Sequence, residues 1–189
     1  LCAHQLGVTD TLLRMTAAYT TFPRGGERIE PHAVDAVKAP SGVTLKRAHG
    51  ATQRIAAPDA TYVVHAMLEG VVARGTAAEV GRSGIKGTFA GKTGTSDESR
   101  DAWFVGYTPS LVVGVWVGFD DDRSLPGSAA QLAVPVWINL MRRATAGQPR
   151  ERFAVPDGVE LVSVDAKSGK LADARCGPSV TEVFLDGTA

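Results

Sequence analysis

The chain has 189 residues, of which 44% are hydrophobic and 21% charged, and its 20 basic residues balance 20 acidic ones. A chain of this length can bury a real core, so we expect one main domain with at most a small appendage. The neutral balance argues against nucleic acid as a partner. The longest apolar run, residues 111–119, is about half of the ~20 residues that a membrane-spanning helix needs.

The first 75 residues predict two helices and a hairpin. Thr9 is a plausible N-cap of the first helix, which Pro23 ends. Two short alternating segments flank residues 40–42, a Pro-Ser-Gly turn signal, and predict an exposed β-hairpin. The second helix begins at Pro58 and ends near Gly75, and its apolar residues recur at helical spacing. We expect this helix to lie against a sheet.

Three strands are predicted next, at residues 85–95, 102–107 and 111–118. The connections between them are short, which makes neighbouring strands antiparallel. A helix over residues 129–144 follows, and Pro135 either kinks it or marks its start. Its apolar stripe needs a sheet to cover.

The pattern changes near Gln148 to Arg152. Beyond this point the segments are short and separated by glycines, which is typical of strands. We therefore expect a main α+β domain over residues 1–150, with an antiparallel sheet flanked by helices, and a strand-rich tail over residues 151–189.

The tetrapeptide Lys92, Thr93, Gly94, Thr95 is the main chemical signal. A lysine on a strand supplies a cation, the threonine hydroxyls supply adjustable donors, and a glycine lets a ligand lie along the strand. Such a strand suits a carboxylate at the end of a peptide, because charge-assisted hydrogen bonds are roughly twice as strong as neutral ones. Lys-Thr-Gly is also one of three motifs of the penicillin-interacting serine enzymes.

The surrounding run, AGKTGTSDESRDAWFVGYTPSLVVGVWVGFDD, resembles the transpeptidase domain of class A high-molecular-mass penicillin-binding proteins. Three further segments look like parts of the same domain, so that the resemblance covers roughly residues 6–141: LGVTDTLLRMTAAYTTFPRGG, MLEGVVARGTA and VPVWINLM. It implies part of the serine β-lactamase and penicillin-binding transpeptidase fold. It also implies a serine D,D-transpeptidase that needs no cofactor or metal, cross-links peptidoglycan stem peptides ending in D-Ala-D-Ala, and is trapped by β-lactam antibiotics.

The resemblance implies a role for each residue of the motif. Lys92, Thr93 and Thr95 would bind the carboxylate of substrate or drug, and Gly94 would keep the strand close to the ligand. The backbone N–H of Thr95 would donate to the oxyanion hole. Three residues that match the family pattern are interpreted as packing and turn residues: Asp101, Trp103 and Phe104.

The two companion motifs are not found. The one Ser-x-x-Lys match, Ser83-Gly84-Ile85-Lys86, precedes the motif strand and lacks a helix start, so serine and lysine would not share a helical face. The single Asn, Asn139, falls in the last helix. We therefore expect no nucleophile in this chain and no acylation by the chain alone. The resemblance puts the serine in a part of the same protein that precedes Leu6, and the whole at the extracytoplasmic face of the bacterial membrane with its anchor outside this chain.

Two other functions stay open. One is a D,D-carboxypeptidase of the same fold, although the run RDAWFVGYTP favours the transpeptidase. The other is a non-catalytic module that binds a peptide or only packs.

Other polar residues carry weaker signals. Cys2 and Cys176 form either a disulfide or two free thiols. The four histidines, at positions 4, 32, 49 and 65, have no metal-like spacing and suit surface or packing roles. Residues 120–122, three aspartates before Arg123, suit a solvated turn better than a cation site.

Overall fold

The computed structural model of the protein describes residues 3–121, 123–173 and 177–189, with the side chains of residues 3–6 excepted. Cys2, Asp122 and Cys176 lie outside the described residues. The elements in chain order are α1 (Ala3–Tyr19), β1 (Glu27–Ile29), β2 (Ala36–Lys38), β3 (Thr44–Arg47), β4 (Thr52–Arg54), α2 (Pro58–Ala73), α3 (Ala78–Arg82), β5 (Ala90–Thr95), a 3-10 turn (Asp97–Ser99), β6 (Asp101–Tyr107), β7 (Val112–Gly118), α4 (Ala129–Ala144), β8 (Val159–Asp165) and β9 (Ser179–Leu185).

The centre of the fold is an antiparallel three-stranded sheet in the order β5-β6-β7. Successive side chains of a strand point to opposite faces. Phe104 of β6 therefore shares one face with its partner Thr93, and Tyr107 shares the opposite face with its partner Ala90. The predicted α+β class, with helices flanking an antiparallel sheet, is confirmed.

Helix α4 closes the face that carries Phe104. Trp137 is fully buried there, and its ring meets Phe104 edge to face at a centroid distance of 5.2 Å. The indole N–H donates to the Val113 carbonyl at 3.1 Å. Since the ring is buried and its one polar atom is bonded, Trp137 fixes α4 against the sheet.

The face that carries Tyr107 is closed by α1, α2 and Phe153, a residue of the predicted tail. Tyr107 is fully buried, and Phe153 meets it edge to face at a centroid distance of 5.7 Å. His65 of α2 is also buried, and its Nδ1 lies 3.0 Å from the Tyr107 hydroxyl oxygen. This face therefore contains polar groups within its packing.

Two hairpins lie outside the central sheet. Strands β2 and β3 form the exposed hairpin that the sequence predicts, and β8 pairs with β9 in the predicted strand-rich tail. The tail packs on α2, where Arg74 forms an ion pair with Glu182. The domain boundary at residue 150 remains a prediction.

Two predicted boundaries are wrong. Helix α1 already includes Ala3, so Thr9 lies inside the helix and is not its N-cap. Strand β5 begins at Ala90 because Gly87 has a φ of 149°, which interrupts an extended strand. Helix α4 has its predicted bounds, Ala129–Ala144, so Pro135 lies inside the helix and does not mark its start.

Candidate functional site

Strand β5 has a buried half and an exposed half. Ala90 and Gly91 are buried, and a Cβ on Gly91 would lie 2.7 Å from the Val105 carbonyl oxygen. From Lys92 to Thr95 the strand is exposed or half-buried. The motif residues therefore occupy the part of the strand that a ligand can reach.

The outer edge of β5 carries backbone groups that do not face β6. Within the described residues, β5 pairs with β6 alone. The N–H of Ser96, an extended residue, donates to the Asp101 carbonyl at 3.0 Å and thus points toward β6. Because successive N–H groups of an extended strand point to opposite sides, the N–H of Thr95 points to the outer edge. This is the orientation that an oxyanion-hole donor on this edge requires.

Both threonines of the motif lie on the face that carries Phe104, and both hydroxyls have a partner. The Thr95 oxygen accepts the backbone N–H of Ala129, the first residue of α4, at 3.2 Å. The Thr93 oxygen lies 2.7 Å from the hydroxyl oxygen of Thr76, a residue 17 positions earlier. Each of the two candidate ligand hydroxyls is thus held in place by a hydrogen bond within the chain.

Lys92 lies on the opposite face of the strand, across from Val105. Its side chain is exposed and its ammonium donates to the Thr93 carbonyl at 2.7 Å. A lysine stem of this length can turn to either side of an edge strand, since its charged head stays in water. Lys92 is therefore available as a cation beside the two hydroxyls.

Gly94 stands between the threonines without a packing reason. A Cβ there would meet only the Cβ of Trp103, at 3.5 Å, which is an ordinary contact. Its φ is not among the positive values of the chain's glycines. Neither sterics among the described residues nor backbone conformation demands a glycine here, in contrast to Gly91 in the same strand.

A strained turn follows the motif. Glu98 and Ser99 have φ values of 58° and 54°, in the left-handed region that few non-glycine residues adopt. The Ser99 carbonyl accepts the N–H of Leu125 at 2.7 Å, and Asp101 accepts the indole N–H of Trp116 at 2.8 Å. The Ser99 bond ties the turn after the motif strand to the chain that leads into α4, and the Asp101 bond joins β6 to β7. Neither residue type predicts a positive φ.

The interpretation of three neighbouring residues as structural is supported. Asp101 accepts the Trp116 indole, Phe104 is buried against Trp137, and Trp103 is half-buried beside Gly94. None of the three carries an exposed reactive group toward the edge of β5.

Ser83 and Asn139 lie outside strand β5. Ser83 follows the five-residue helix α3, and its hydroxyl donates to the Val80 carbonyl at 2.6 Å. Gly84, with a φ of 74°, then turns the chain away, so Lys86 does not follow on a helical face. Asn139 is exposed on α4, where it accepts a hydrogen bond from Arg142.

Two of the remaining polar candidates, Asp121 and His32, have structural partners. Asp121 forms an ion pair with Arg123 at 2.7 Å, and this hydrogen bond lowers the pKa of the Asp121 carboxyl. His32 lies 3.1 Å from Asp35 in an exposed loop. In residues 3–121, 123–173 and 177–189, no three metal-ligating side chains come together.

The sequence left His65 with either a surface or a packing role, and the structure shows it buried. Among the described residues its Nε2 has no hydrogen-bond partner, and the nearest carboxylate, that of Glu69, lies 3.7 Å away. Burial lowers the pKa of His65 from 6.5 to about 4, and it raises the pKa of Glu69 and of Tyr107. The apolar spacing of α2 puts position 65 near the buried stripe of the helix. Its burial could not be predicted from the residue type alone, because histidine is found both at surfaces and in cores.

Comparison with known proteins identifies the family. The model of the penicillin-binding protein transpeptidase domain matches residues 3–131, and that of the penicillin-binding protein 1A C-terminal domain matches residues 155–189. This chain therefore belongs to the penicillin-binding protein transpeptidase family. Across the part of the chain that the structure describes, every helix falls short of the length and hydrophobicity that crossing a bilayer requires.

Penicillin-binding protein 1A of Aquifex aeolicus is 37% identical over 186 residues, which is 97% of this chain and 25% of that protein. The crystal structure of Penicillin-Binding Protein 1A from Haemophilus influenzae superposes with a TM-score of 0.82 at 24% identity, covering 94% of this chain and 32% of that one. A ceftriaxone acyl-enzyme complex of penicillin-binding protein A from M. tuberculosis superposes with a TM-score of 0.55 at 25% identity, covering 73% and 32%. The chain thus spans about a quarter of the length of its curated relative.

Proposed function

We propose that this chain supplies the substrate-binding edge of a serine D,D-transpeptidase that cross-links peptidoglycan. Lys92, Thr93 and Thr95 bind the terminal carboxylate of a D-Ala-D-Ala stem peptide or of a β-lactam. The Thr95 N–H donates to the oxyanion that forms at the attacked carbonyl. The reaction needs no cofactor.

The observation that carries this proposal is the contrast within β5. Gly91 is required by packing, whereas Gly94 is not, although it lies in the exposed half between two held hydroxyls. A glycine that the protein's own packing does not need is explained by close approach of a ligand to the strand. The N–H of Thr95, pointing to the outer edge, then faces the same ligand.

The nucleophile comes from outside this chain. Ser83, the one serine in a Ser-x-x-Lys sequence, bonds its hydroxyl to the Val80 carbonyl beyond the end of α3 and has no lysine on the same helical face. In the complete site, a serine oxygen attacks the carbonyl carbon of the penultimate D-Ala and the terminal D-Ala leaves with a proton on its amine. The acyl group then passes to the amine of a second stem, and the serine regains its proton. The chain alone does not acylate.

This assignment also sets the location. Stem peptides are exported before they are cross-linked, so the site acts at the extracytoplasmic face of the bacterial membrane, with its anchor in a part of the protein beyond this chain. The ceftriaxone acyl-enzyme complex of penicillin-binding protein A from M. tuberculosis supports β-lactams as ligands of the complete site.

The test is covalent labelling by a fluorescent penicillin, made on this chain alone and on a protein that also contains the segment preceding it. Only the longer protein should be labelled. In it, Lys92→Ala should slow labelling by about 10- to 100-fold, because a hydrogen bond to a charged group contributes roughly 1.5–3 kcal/mol.

Lys46→Ala, which removes an exposed lysine from the β2–β3 hairpin, is the matched control and should leave the rate unchanged. Labelling of this chain alone would show that the nucleophile lies within the chain, with Ser83 as the first candidate. Hydrolysis of a stem peptide without transfer to a second amine would instead favour the D,D-carboxypeptidase. Reversible peptide binding by the longer protein with no covalent adduct would favour a non-catalytic module.

A further inference from the structure

The turn that ends α2 is held rigidly. The N–H of Arg74 donates to the Gly70 carbonyl at 2.9 Å, and the N–H groups of Gly75 and Ala77 both donate to the Val71 carbonyl at 3.1 Å. A Cβ on Gly75 would lie 2.8 Å from the Val71 Cα, so only glycine fits this close return of the chain. The position of the residue between Gly75 and Ala77 is therefore fixed by the backbone on both sides.

That residue is Thr76. Ala77 is fully buried in the core on the α4 face, whereas Thr76 is exposed at the surface beside β5. Its hydroxyl oxygen lies 2.7 Å from that of Thr93. The turn thus places the Thr76 hydroxyl against the side chain of Thr93, which binds the carboxylate in the proposed function.

The direction of this hydrogen bond decides what Thr93 can bind. A hydroxyl has one proton to donate and two lone pairs to accept. If Thr93 donates to Thr76, it presents lone pairs to a ligand and repels a carboxylate. If Thr76 donates to Thr93, the Thr93 proton is free for a carboxylate oxygen.

The neighbouring threonine already shows the second arrangement. The Thr95 oxygen accepts the N–H of Ala129 at 3.2 Å, and a backbone N–H can only donate. The proton of Thr95 is therefore free for an anion. With Thr76 as the donor to Thr93, the two hydroxyls on this face present their protons in the same way.

Resting on the proposed function, we propose that Thr76 is a positioning residue. It donates to the Thr93 hydroxyl and thereby orients the Thr93 proton toward the carboxylate of the stem peptide or β-lactam. Thr76 does not touch the ligand. Its contribution is selectivity for an anionic terminus over a neutral one.

The experiment measures the acylation rate constant of the longer protein with a penicillin and with the same penicillin esterified at its carboxylate. Thr76→Val keeps the shape of the side chain and removes the hydroxyl. It should slow acylation by the free acid about 3- to 10-fold, the effect of one hydrogen bond, and leave the rate with the ester within about twofold. Thr76→Ser should restore the rate with the acid.

Two further variants separate the possible failures. In a Thr93→Val background Thr76→Val should have no further effect, because the hydroxyl that it orients is gone. Thr44→Val, an exposed threonine in the β2–β3 hairpin, is the matched control and should change neither rate.

Equal slowing with acid and ester, or a full effect in the Thr93→Val background, would overturn the positioning role and indicate a structural one. If Lys92→Ala slows acylation and Thr76→Val does not, this inference fails and the proposed function stands. If neither variant affects acylation, the proposed function itself fails. Melting temperatures of the Thr76 variants, including Thr76→Ala, detect any loss of folding.

Discussion

The two faces of the central sheet are closed by different chemistry. On one face Trp137 of α4 packs between Phe104 and Phe89, and its single polar atom is hydrogen-bonded. On the other face His65 and Tyr107 are buried together under Phe153. The first face is an apolar core, and the second contains a titratable group.

This difference shows which part of the molecule depends on solution conditions. Apolar packing changes little with pH, because no proton binds to it. A buried neutral histidine disfavours its own charged form, so the face that contains it weakens in acid. Strand β5 belongs to both faces, with Thr93 and Thr95 on one and Lys92 on the other.

The largest expected effect is on the apolar face. Trp137→Ala should lower the free energy of unfolding by about 3–5 kcal/mol, because it removes a fully buried indole and leaves a cavity against Phe104. The loss should be the same at pH 7 and pH 5. Urea unfolding followed by circular dichroism measures both values.

Leu140→Ala on the same helix is the control, since Leu140 is 44% exposed, and it should cost less than about 1 kcal/mol. A similar cost for the two variants would mean that α4 is not fixed through Trp137. A Trp137→Ala loss that grows in acid would remove the contrast between the faces.

The second effect is acid destabilisation through His65. Its pKa is about 4 in the folded protein, below the ordinary value of 6.5. Well above pH 6.5 the ring is neutral in both states and does not change the stability. As the pH falls from 6.5 toward 4, the unfolded chain gains a proton that the folded protein does not bind, and stability should fall by an amount approaching 3 kcal/mol, at about 1.4 kcal/mol for each pKa unit.

Other titratable groups also face the His65 ring, so the pH dependence of stability contains their contributions as well. Glu69 has a pKa raised by burial, so its protonation in acid favours the folded state and opposes the His65 effect. Tyr107 and Tyr62 stay neutral, because their pKa values are raised from 10.0. His65→Gln keeps Glu69, and the difference between it and the natural chain over pH 7 to 4 measures His65 alone.

His32→Gln provides the exposed control for the same titration. Parallel pH curves for the natural chain and His65→Gln would show that the buried ring is not the acid-sensitive group. A steeper fall for the natural chain alone is the expected outcome.

Much of the fold could be predicted because the apolar spacing is regular. Helices α2 and α4 and the pair β6–β7 have periodic patterns bounded by clear turn residues, and they appear within a residue or two of their predicted ends. The start of α1 could not be predicted, because a threonine is an N-cap only where the chain turns, and at Thr9 it does not. The prediction of a strand over residues 85–95 was wrong in its first half, because the backbone at Gly87 has a positive φ that interrupts an extended strand.

The candidate site was only partly predictable for a different reason. Lys92 to Thr95 are contiguous, so their exposure on one strand follows from the local pattern. The contact of Thr93 with Thr76 depends on how the turn at Gly75 packs against Val71. The contact of Thr95 with Ala129 depends on where α4 starts. Contacts between residues 17 and 34 positions apart have no signature in a single sequence.

The smallest expected effect concerns the tail, whose strand β9 forms a partly exposed ion pair with α2, in contrast to the buried contacts on the two sheet faces. Arg74 and Glu182 form an ion pair between α2 and β9, and both side chains are partly exposed. An exposed ion pair contributes about 0–1 kcal/mol and is screened by salt. Glu182→Gln should therefore lower the free energy of unfolding by less than about 1 kcal/mol at low ionic strength and by nothing measurable at high salt.

Arg74 also begins the turn that positions Thr76, which makes the same variant informative about the site. The turn is held by backbone bonds to Gly70 and Val71 that do not involve the Arg74 side chain. Glu182→Gln should consequently leave the acylation rate of the longer protein unchanged, as should Glu79→Gln, an exposed glutamate on α3. A slower rate for Glu182→Gln alone would mean that the tail, through Arg74, helps to hold Thr76 against Thr93.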